Sequence, residues 1–362
     1  MNLSDSVRRT TVGQLAVRLN VKVRLMKVKI ALSLVLLSVQ NILAQDKPAL
    51  RYVDRVRLAE AFSIGDTLGN QVWENWDKAP FAVLLVAPDF EFLIRHPKPS
   101  ADFTLVGYDP LLKSNVYFRK RTYQANLLAT FPAIKGSNDS TIVIGQAENT
   151  SKKTSSPWVV TVLHEHFHQL QNSQPTYYAD VDALKLSRGD ETGMWMLNYP
   201  FPYNEPRVKQ HFTVLGRLLA ETLQDTSKSE FQAKLKAYLE ARRQFEKLLS
   251  PEDYRYFSFQ VWQEGIARYT EHRVAGLAAM MHKPSKEFQA LKDYQPFNQV
   301  ADEINNNILK QLSTLQLDEY QRVAFYPLGA GEGLLLDRTK AKWQNRYFVN
   351  KFYVDKYFEA PR

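Results

Sequence analysis

The chain has 362 residues, of which 44% are hydrophobic, and its formal net charge is +9. This length and composition indicate a folded protein with one large domain or two moderate ones. Residues 1–44 hold seven basic groups and one acid, so the rest of the chain carries only +3. That near-neutral body argues against nucleic acid as a partner. Because the chain has no cysteine, disulfides, thiolate ligands and cysteine nucleophiles are excluded.

A short apolar segment near the N-terminus is typical of an export signal. Two lysines precede the ten-residue apolar run 30–39, and Ala44 is a small residue where cleavage is expected. The run is too short to span a bilayer, which takes about 20 residues. Residues 1–44 are therefore predicted to be a signal peptide, and the mature protein is expected in the periplasm or secreted, without stable membrane insertion. Met26 precedes the lysines and marks residues 1–25 as a candidate over-extended start.

The pattern of apolar residues changes along the chain from strand-like to helical. Before Pro157 it consists of short runs split by Pro, Gly, Asn and Asp, which predicts strands at 81–86, 90–94, 115–118 and 141–144. After Pro157 a 3.6-residue periodicity predicts long helices at 208–223, 230–249 and 252–279. The predicted fold is α+β. Its strand-rich part covers 46–172 and ends in a helix, and its mainly helical part covers 173–362.

That helix at the junction has clear start and stop signals. Ser156 can accept hydrogen bonds from the first free backbone N–H groups, and Pro157 suits the first helical position. The helix is expected to end near Asn172, because the residue before Pro175 is disfavoured in helical geometry.

The predicted helix carries the sequence His164-Glu165-His166-Phe167-His168. Residues four apart share a helical face, so His164 and His168 can bind one metal ion while Glu165 reaches a water molecule beside it. Imidazole and carboxylate ligands suit Zn²⁺, and a catalytic site keeps one position for water. The spacing predicts a zinc site with Glu165 as general base. His166 lies about 200° around the helix and is expected at the surface or in a supporting position.

A third metal ligand has two candidates, Glu264 and Glu191. Glu264 lies in a helix predicted to begin at Ser250-Pro251, whereas Glu191 lies among turn residues. Glu191 follows His168 by 23 residues and Glu264 follows it by 96. We favour Glu264 because a helix can aim its carboxylate, and Glu191 stays the alternative.

The sequence from Trp262 to Glu271, read together with the histidine motif, resembles the two signature motifs of gluzincin metallopeptidases, with no particular family identified. The resemblance implies a zincin-like fold in which Glu264 binds zinc and Gly265 lets the helix of Glu264 approach the histidine helix. Tyr269 and Glu271 match supporting positions. It also implies that residues 141–144 form the edge strand that pairs with substrate, with an ordinary core strand as the alternative reading.

Amide hydrolysis also needs a donor for the developing oxyanion. Tyr326 is assigned this role, with a packing role as its other interpretation. Tyr269, His272 and Arg268 are the alternative donors. The glycines at 329–333 lack the Gly-Lys-Ser/Thr ending of a phosphate loop. The predicted function is an exported zinc-dependent peptidase acting on a peptide or protein substrate. A catalytically inactive zincin-fold binding or scaffold protein and a divalent-metal-binding protein are the alternatives.

Overall fold

The structure, a computed structural model, describes residues 48–314 and 316–359. The predicted signal peptide lies outside these described residues. Contacts between Cα atoms group Leu50–Arg362 into one unit, and the predicted division after residue 172 stays a prediction. Among the helices in the described ranges, none is long and apolar enough to cross a membrane.

A long helix that the sequence patterns did not predict opens the described chain. This helix, α1 (Tyr52–Val72), lies inside the part predicted to be strand-rich. Its apolar stripe is interrupted by charged side chains that are buried with it, namely Asp54, Arg57 and Glu60. Arg57 and Glu60 meet distant partners, Asp293 at 3.1 Å and His282 at 2.7 Å, whereas Asp54 pairs with Arg51 three residues earlier. A helix that buries charge in this way shows little amphipathic periodicity.

Six strands follow and form one mixed sheet in the order β3-β4-β2-β1-β6-β5. Their bounds are β1 (Val83–Val86), β2 (Phe90–Ile94), β3 (Thr104–Asp109), β4 (Ser114–Lys120), β5 (Leu128–Phe131) and β6 (Thr141–Gly145). Only β1 and β6 pair in parallel, and the other neighbours are antiparallel. The four predicted strands correspond to β1, β2, β4 and β6, and the α+β fold class is confirmed.

The prediction that residues 141–144 form an edge strand is wrong. Strand β6 pairs with β1 on one side and with β5 on the other, and all five of its residues are buried. It is a core strand, and β5 is the outer strand on this side of the sheet. The residues of β5 are only half-buried, as suits an edge.

After β6 the described chain contains helices and no further strand. The helices are α2 (Ser155–Asn172), α3 (Tyr177–Ala183), α4 (Trp195–Asn198), α5 (Pro206–Gln224), α6 (Lys228–Leu248), α7 (Pro251–Gln260), α8 (Ile266–Met281), α9 (Lys286–Gln289), α10 (Phe297–Thr314), α11 (Leu317–Tyr320), α12 (Phe325–Thr339) and α13 (Gln344–Tyr347). The periodicity located α5, α6 and the long segment α7–α8 correctly.

The core is divided by the sheet. On one face, Val83, Leu85, Ile142 and Ile144 pack with α1, α2 and the helices beyond them in the main apolar cluster. On the other face, a small cluster is covered by loop residues such as Ile134. Successive residues of a strand point to opposite faces, which is why neighbours in β1 and β6 belong to different clusters. Helix α2 therefore lies between the sheet and the helical part, where it is almost fully buried.

Candidate metal centre

Helix α2 begins one residue before the predicted cap and is capped from a distance. Thr154 occupies the N-cap position and makes no capping hydrogen bond with its side chain. Instead, the backbone N–H and the hydroxyl of Ser155 donate to the carboxylate of Asp293, at 2.9 and 2.6 Å. The hydroxyl of Ser156, the predicted cap, donates to the backbone oxygen of Gln295 at 2.7 Å. A carboxylate at this helix end also interacts favourably with the helix dipole.

Two polar side chains fix α2 on the sheet. Trp158 Nε1 donates to the backbone oxygen of Gly145 at 2.9 Å. The side-chain amide of Gln169 donates to the backbone oxygens of Ala82 and Ser140, at 3.0 and 2.8 Å. These contacts, near the two ends of the helix, fix its rotation about its axis. They thereby decide which side chains of the histidine motif face the helical part.

His164, His168 and Glu264 converge on one point. The Nε2 atoms of the two histidines are 3.1 Å apart. Glu264 Oε2 lies 3.9 Å from Nε2 of His164 and 3.6 Å from Nε2 of His168. Two atoms bound to one ion at zinc-like bond lengths lie no more than about 4 Å apart. The three residues could therefore hold a metal ion as a group.

Glu264 is delivered by a wide helical turn and a glycine crossing. The π-helical turn Val261–Gly265 joins α7 to α8, and turns of this kind are frequent at functional sites. A Cβ atom on Gly265 would lie 2.5 Å from the Cα of Gly329 in α12, and a Cβ on Gly329 would collide in return. Gly265 therefore permits a close approach to α12, with Gly329 as its partner, and its predicted role against the histidine helix stays a prediction.

His164 is supported by a carboxylate. Its Nδ1 lies 2.8 Å from Oε1 of Glu271, and both side chains are largely buried. A carboxylate at this nitrogen holds the proton on Nδ1 and leaves the lone pair of Nε2 free for a metal. Burial raises the pKa of Glu271, but the nearby positive charges of Lys152 and Arg268 and its contact with His164 outweigh burial and lower that pKa to about 2.

His168 is supported by a chain of neutral groups. Its Nδ1 lies 2.6 Å from the side-chain oxygen of Gln171. The amide nitrogen of Gln171 donates to the hydroxyl of Tyr347 at 2.6 Å and to the backbone oxygen of Gln263 at 3.1 Å. The Tyr347 hydroxyl in turn donates to the backbone oxygen of Trp262 at 2.7 Å. This network ties His168 directly to the turn that carries Glu264.

The charges of His168 and Glu264 are strongly coupled. Burial lowers the pKa of His168, but the Glu264 carboxylate outweighs it and raises that pKa to about 9. Burial likewise raises the pKa of Glu264, but His168 and His164 outweigh it and lower that pKa to about 2. Near neutral pH the metal-free protein therefore has His168 protonated and Glu264 ionised. A metal ion that binds here must displace a proton from His168.

Glu165 is anchored by the edge strand. The hydroxyl of Thr130, in β5, lies 2.7 Å from Oε2 of Glu165 and 3.0 Å from its backbone oxygen. Only 5% of Glu165 is exposed. No sequence pattern indicated that Thr130 contacts the motif, because strand β5 was not predicted.

Tyr326 belongs to the same centre. It lies in the first turn of α12, and its hydroxyl accepts a hydrogen bond from Arg322. Burial and the Glu264 carboxylate raise the pKa of Tyr326 well above its usual value, and Arg322 only partly opposes them. The phenol is therefore protonated at neutral pH and can donate a hydrogen bond. Gln321, next to Arg322, has a positive φ of 48°, a strained conformation of the kind that clusters at functional sites.

Three of the alternatives named from the sequence lie elsewhere. Glu191 is exposed in a bend and is not part of the ligand group. Tyr269 donates its hydroxyl to Asp337 at 2.9 Å, and His272 Nδ1 faces a backbone oxygen of α10 at 3.3 Å. Among the described residues, Glu264 is the carboxylate that joins the two histidines.

His166 is not in the ligand group, and of the two positions expected for it, the surface is excluded. It is 2% exposed and stacks on Phe81, with ring centroids 3.7 Å apart, and on Trp76. Its Nδ1 lies 2.9 Å from the side-chain oxygen of Gln169. Burial among these rings lowers the pKa of His166 to about 3. It is a neutral core residue on the sheet side of α2.

No protein family, curated protein or solved structure matches this chain. The similarity of its two short motifs to those of gluzincins therefore stays a prediction. The functional argument rests on the geometry of the site.

Proposed function

We propose that the protein is an exported zinc-dependent peptidase with a zincin-like site, in which His164, His168 and Glu264 hold Zn²⁺ and Glu165 is the general base. The convergence of the three ligand atoms within 4 Å of one another carries this proposal. Two imidazoles and one carboxylate form a donor set used by catalytic zinc sites. The Glu264 side chain is 20% exposed, so solvent reaches the centre and a water molecule can complete it.

The remaining side chains have positions that suit amide hydrolysis. A bound Zn²⁺ would polarise the scissile carbonyl and activate a water molecule. Glu165, with one oxygen held by Thr130, would accept the proton of the attacking water and pass it to the leaving nitrogen. The protonated Tyr326 would donate a hydrogen bond to the developing oxyanion.

The edge strand favours a peptide as the substrate. Strand β5 pairs with β6 and has no other neighbour in the sheet, so its outer backbone groups can pair with an extended peptide. Thr130 lies in this strand and contacts Glu165. A peptide added to β5 would therefore run past the general base. We thus assign to β5 the substrate-pairing role predicted for residues 141–144.

The decisive experiment is digestion of a diverse peptide mixture by metal-analysed mature protein, with and without chelator, followed by mass spectrometry of the products. We expect cleavage that the chelator abolishes and that added Zn²⁺ restores. The Glu165→Gln variant should keep its zinc and lose about a hundredfold or more of the turnover. N-terminal sequencing of the exported protein should find a mature end near Gln45.

The two alternatives give different results in the same experiment. An inactive binding or scaffold protein would retain zinc in the wild type and cleave no peptide. A divalent-metal carrier would bind Cu²⁺ in preference to Zn²⁺, as the general order of affinities predicts. Its metal binding would be the same in the wild type and in Glu165→Gln, with no turnover to lose.

A further inference from the structure

A half-buried arginine without a partner lies on the helix face that supports the metal centre. Glu264, Arg268 and Glu271 are spaced four and three residues apart, so they lie along one face of the helix. Glu264 and Glu271 both approach His164, at 3.9 and 2.8 Å. The face that carries Arg268 is therefore the face turned toward the active-site helix α2.

The guanidinium of Arg268 makes no hydrogen bond or ion pair with the described residues, and its Nε is buried without a partner. The other unpaired arginines of the described chain, Arg121 and Arg207, are exposed, so water can solvate them. An unpaired buried donor is costly, and such a group in a native structure calls for a partner. The missing partner is expected to be an anion.

A second unpaired cation lies beside the same carboxylate. Lys152 makes no ion pair within the described ranges, and it lines a cavity of about 60 Å³ next to Glu271. The cavity lies between α2 and α10, and its lining includes Val160 and Asn307. Glu271 borders this cavity together with Lys152, and it follows Arg268 by three residues on the same helix face, so both cations flank the same carboxylate.

The acids near this cavity already have partners. Glu271 contacts His164 at 2.8 Å. Glu303, which also lines the cavity, is exposed at the rim and accepts a hydrogen bond from Gln295 at 2.6 Å. Neither carboxylate forms an ion pair with Lys152 or Arg268. Both cations are therefore available to an incoming ligand.

We propose that Lys152 and Arg268 form a subsite that binds a carboxylate of the substrate beside the metal centre. The inference rests on the proposed peptidase function and narrows its substrates to those with a negatively charged group. Arginine suits this task because its planar donors match a carboxylate, and lysine adds a second charge. The carboxylate is either the C-terminus of the peptide or an Asp or Glu side chain.

Paired hydroxamates test the subsite without catalysis. Each pair has the same chain length and ends in a carboxylate or in the neutral carboxamide, and a series of lengths is measured by calorimetry on zinc-loaded protein. At the best length we expect the carboxylate to bind the wild type about tenfold or more tightly than the carboxamide. The preference should fall to about one in Arg268→Gln and weaken severalfold in Lys152→Gln. Zinc content is measured in each variant.

Matched controls separate the subsite from a general charge effect. Arg268→Lys keeps the charge and should retain a preference. Arg273→Gln removes a cation from the same helix that pairs with Asp337 at 3.6 Å, and should leave the preference unchanged. Equal binding of both probes by the wild type at every length would overturn the subsite. So would an unchanged preference in zinc-retaining Lys152→Gln and Arg268→Gln.

Peptide substrates distinguish the two sources of the carboxylate. A C-terminal site predicts that amidation of the peptide lowers kcat/KM about tenfold, whereas a side-chain site predicts the same loss on replacing Asp or Glu by Asn or Gln. If the hydroxamates show the preference but no peptide is cleaved, the subsite stands and the peptidase function is wrong. If zinc-loaded protein binds no hydroxamate, both are wrong.

Discussion

The two histidines of one helix are held in different ways. His164 is supported by a single charged group, Glu271, on a neighbouring helix. His168 is supported by an uncharged chain that runs through Gln171 and Tyr347 to the turn carrying Glu264. A carboxylate raises the basicity of an imidazole, whereas an amide network mainly fixes its position. Glu271 thus tunes the basicity of His164, whereas the network through Gln171 aligns His168.

The largest effect is expected where the two supports meet, at the third ligand. Glu264→Ala removes the carboxylate that both histidines face, and its zinc content should fall to background. Glu191→Ala is the matched control, because Glu191 is an exposed acid outside the ligand group. Metal analysis after dialysis decides between them. Zinc retained in Glu264→Ala but lost in Glu191→Ala would overturn the ligand assignment.

The histidine motif and the helix of Glu264 could be predicted because their signals are local. The spacing of His164 and His168 fixes their common face, and the Ser250 side chain caps the following helix as expected. The cap of α2 could not be predicted, because Asp293 supplies it from 138 residues away. The same holds for Gly329, which meets Gly265 only after folding.

The missed elements have physical reasons of the same kind. Helix α1 buries Arg57 and Glu60 against distant partners, which erases its apolar stripe. Strand β5 is half-buried throughout and shows no alternation, so its role at the site was assigned to β6 instead. The contact between Thr130 and Glu165 was missed with it. Charge burial and strand order depend on the whole fold, so local sequence patterns do not predict them.

The next largest effect concerns the supports themselves. Glu271→Gln should weaken zinc affinity by about 10- to 100-fold. Gln171→Leu should weaken affinity similarly, and it should also lower the free energy of unfolding by roughly 1–3 kcal/mol, because Tyr347 and the backbone of Gln263 lose a buried partner. Competition with a zinc indicator and chemical denaturation of the metal-free proteins measure the two quantities. Unchanged zinc affinity in either variant would show that its side chain does not support the ligand it contacts.

The pH dependence of zinc binding tests the part of the site around His168. His168 is protonated in the metal-free protein, with its pKa raised from the ordinary 6.5 to about 9. A bound metal displaces this proton, so the apparent zinc affinity should fall about tenfold for each pH unit between about 9 and 6. In the metal-free protein the same shift stabilises the fold below pH 6.5, a contribution lost as pH rises through about 9.

Glu271→Gln is the control for this pH dependence, because the displaced proton belongs to the pair of His168 and Glu264. Its zinc affinity should be lower throughout but should fall with the same slope. Calorimetry in buffers of different ionisation enthalpy counts the protons released. Release of no proton at pH 7 would contradict the coupling of His168 to Glu264.

The smallest effect is expected at the edge strand. Thr130→Val keeps the shape of the side chain but removes the hydroxyl that lies 2.7 Å from Oε2 of Glu165. Because Thr130 contacts the general base and none of the ligands, kcat should fall by about three- to tenfold while zinc affinity is unchanged. Thr130→Ser, which restores the hydroxyl, should recover most of the rate. Loss of zinc in Thr130→Val would show that the edge strand supports the metal ligands as well as the base. Alignment of the ligands would then depend on β5 as well as on the network through Gln171.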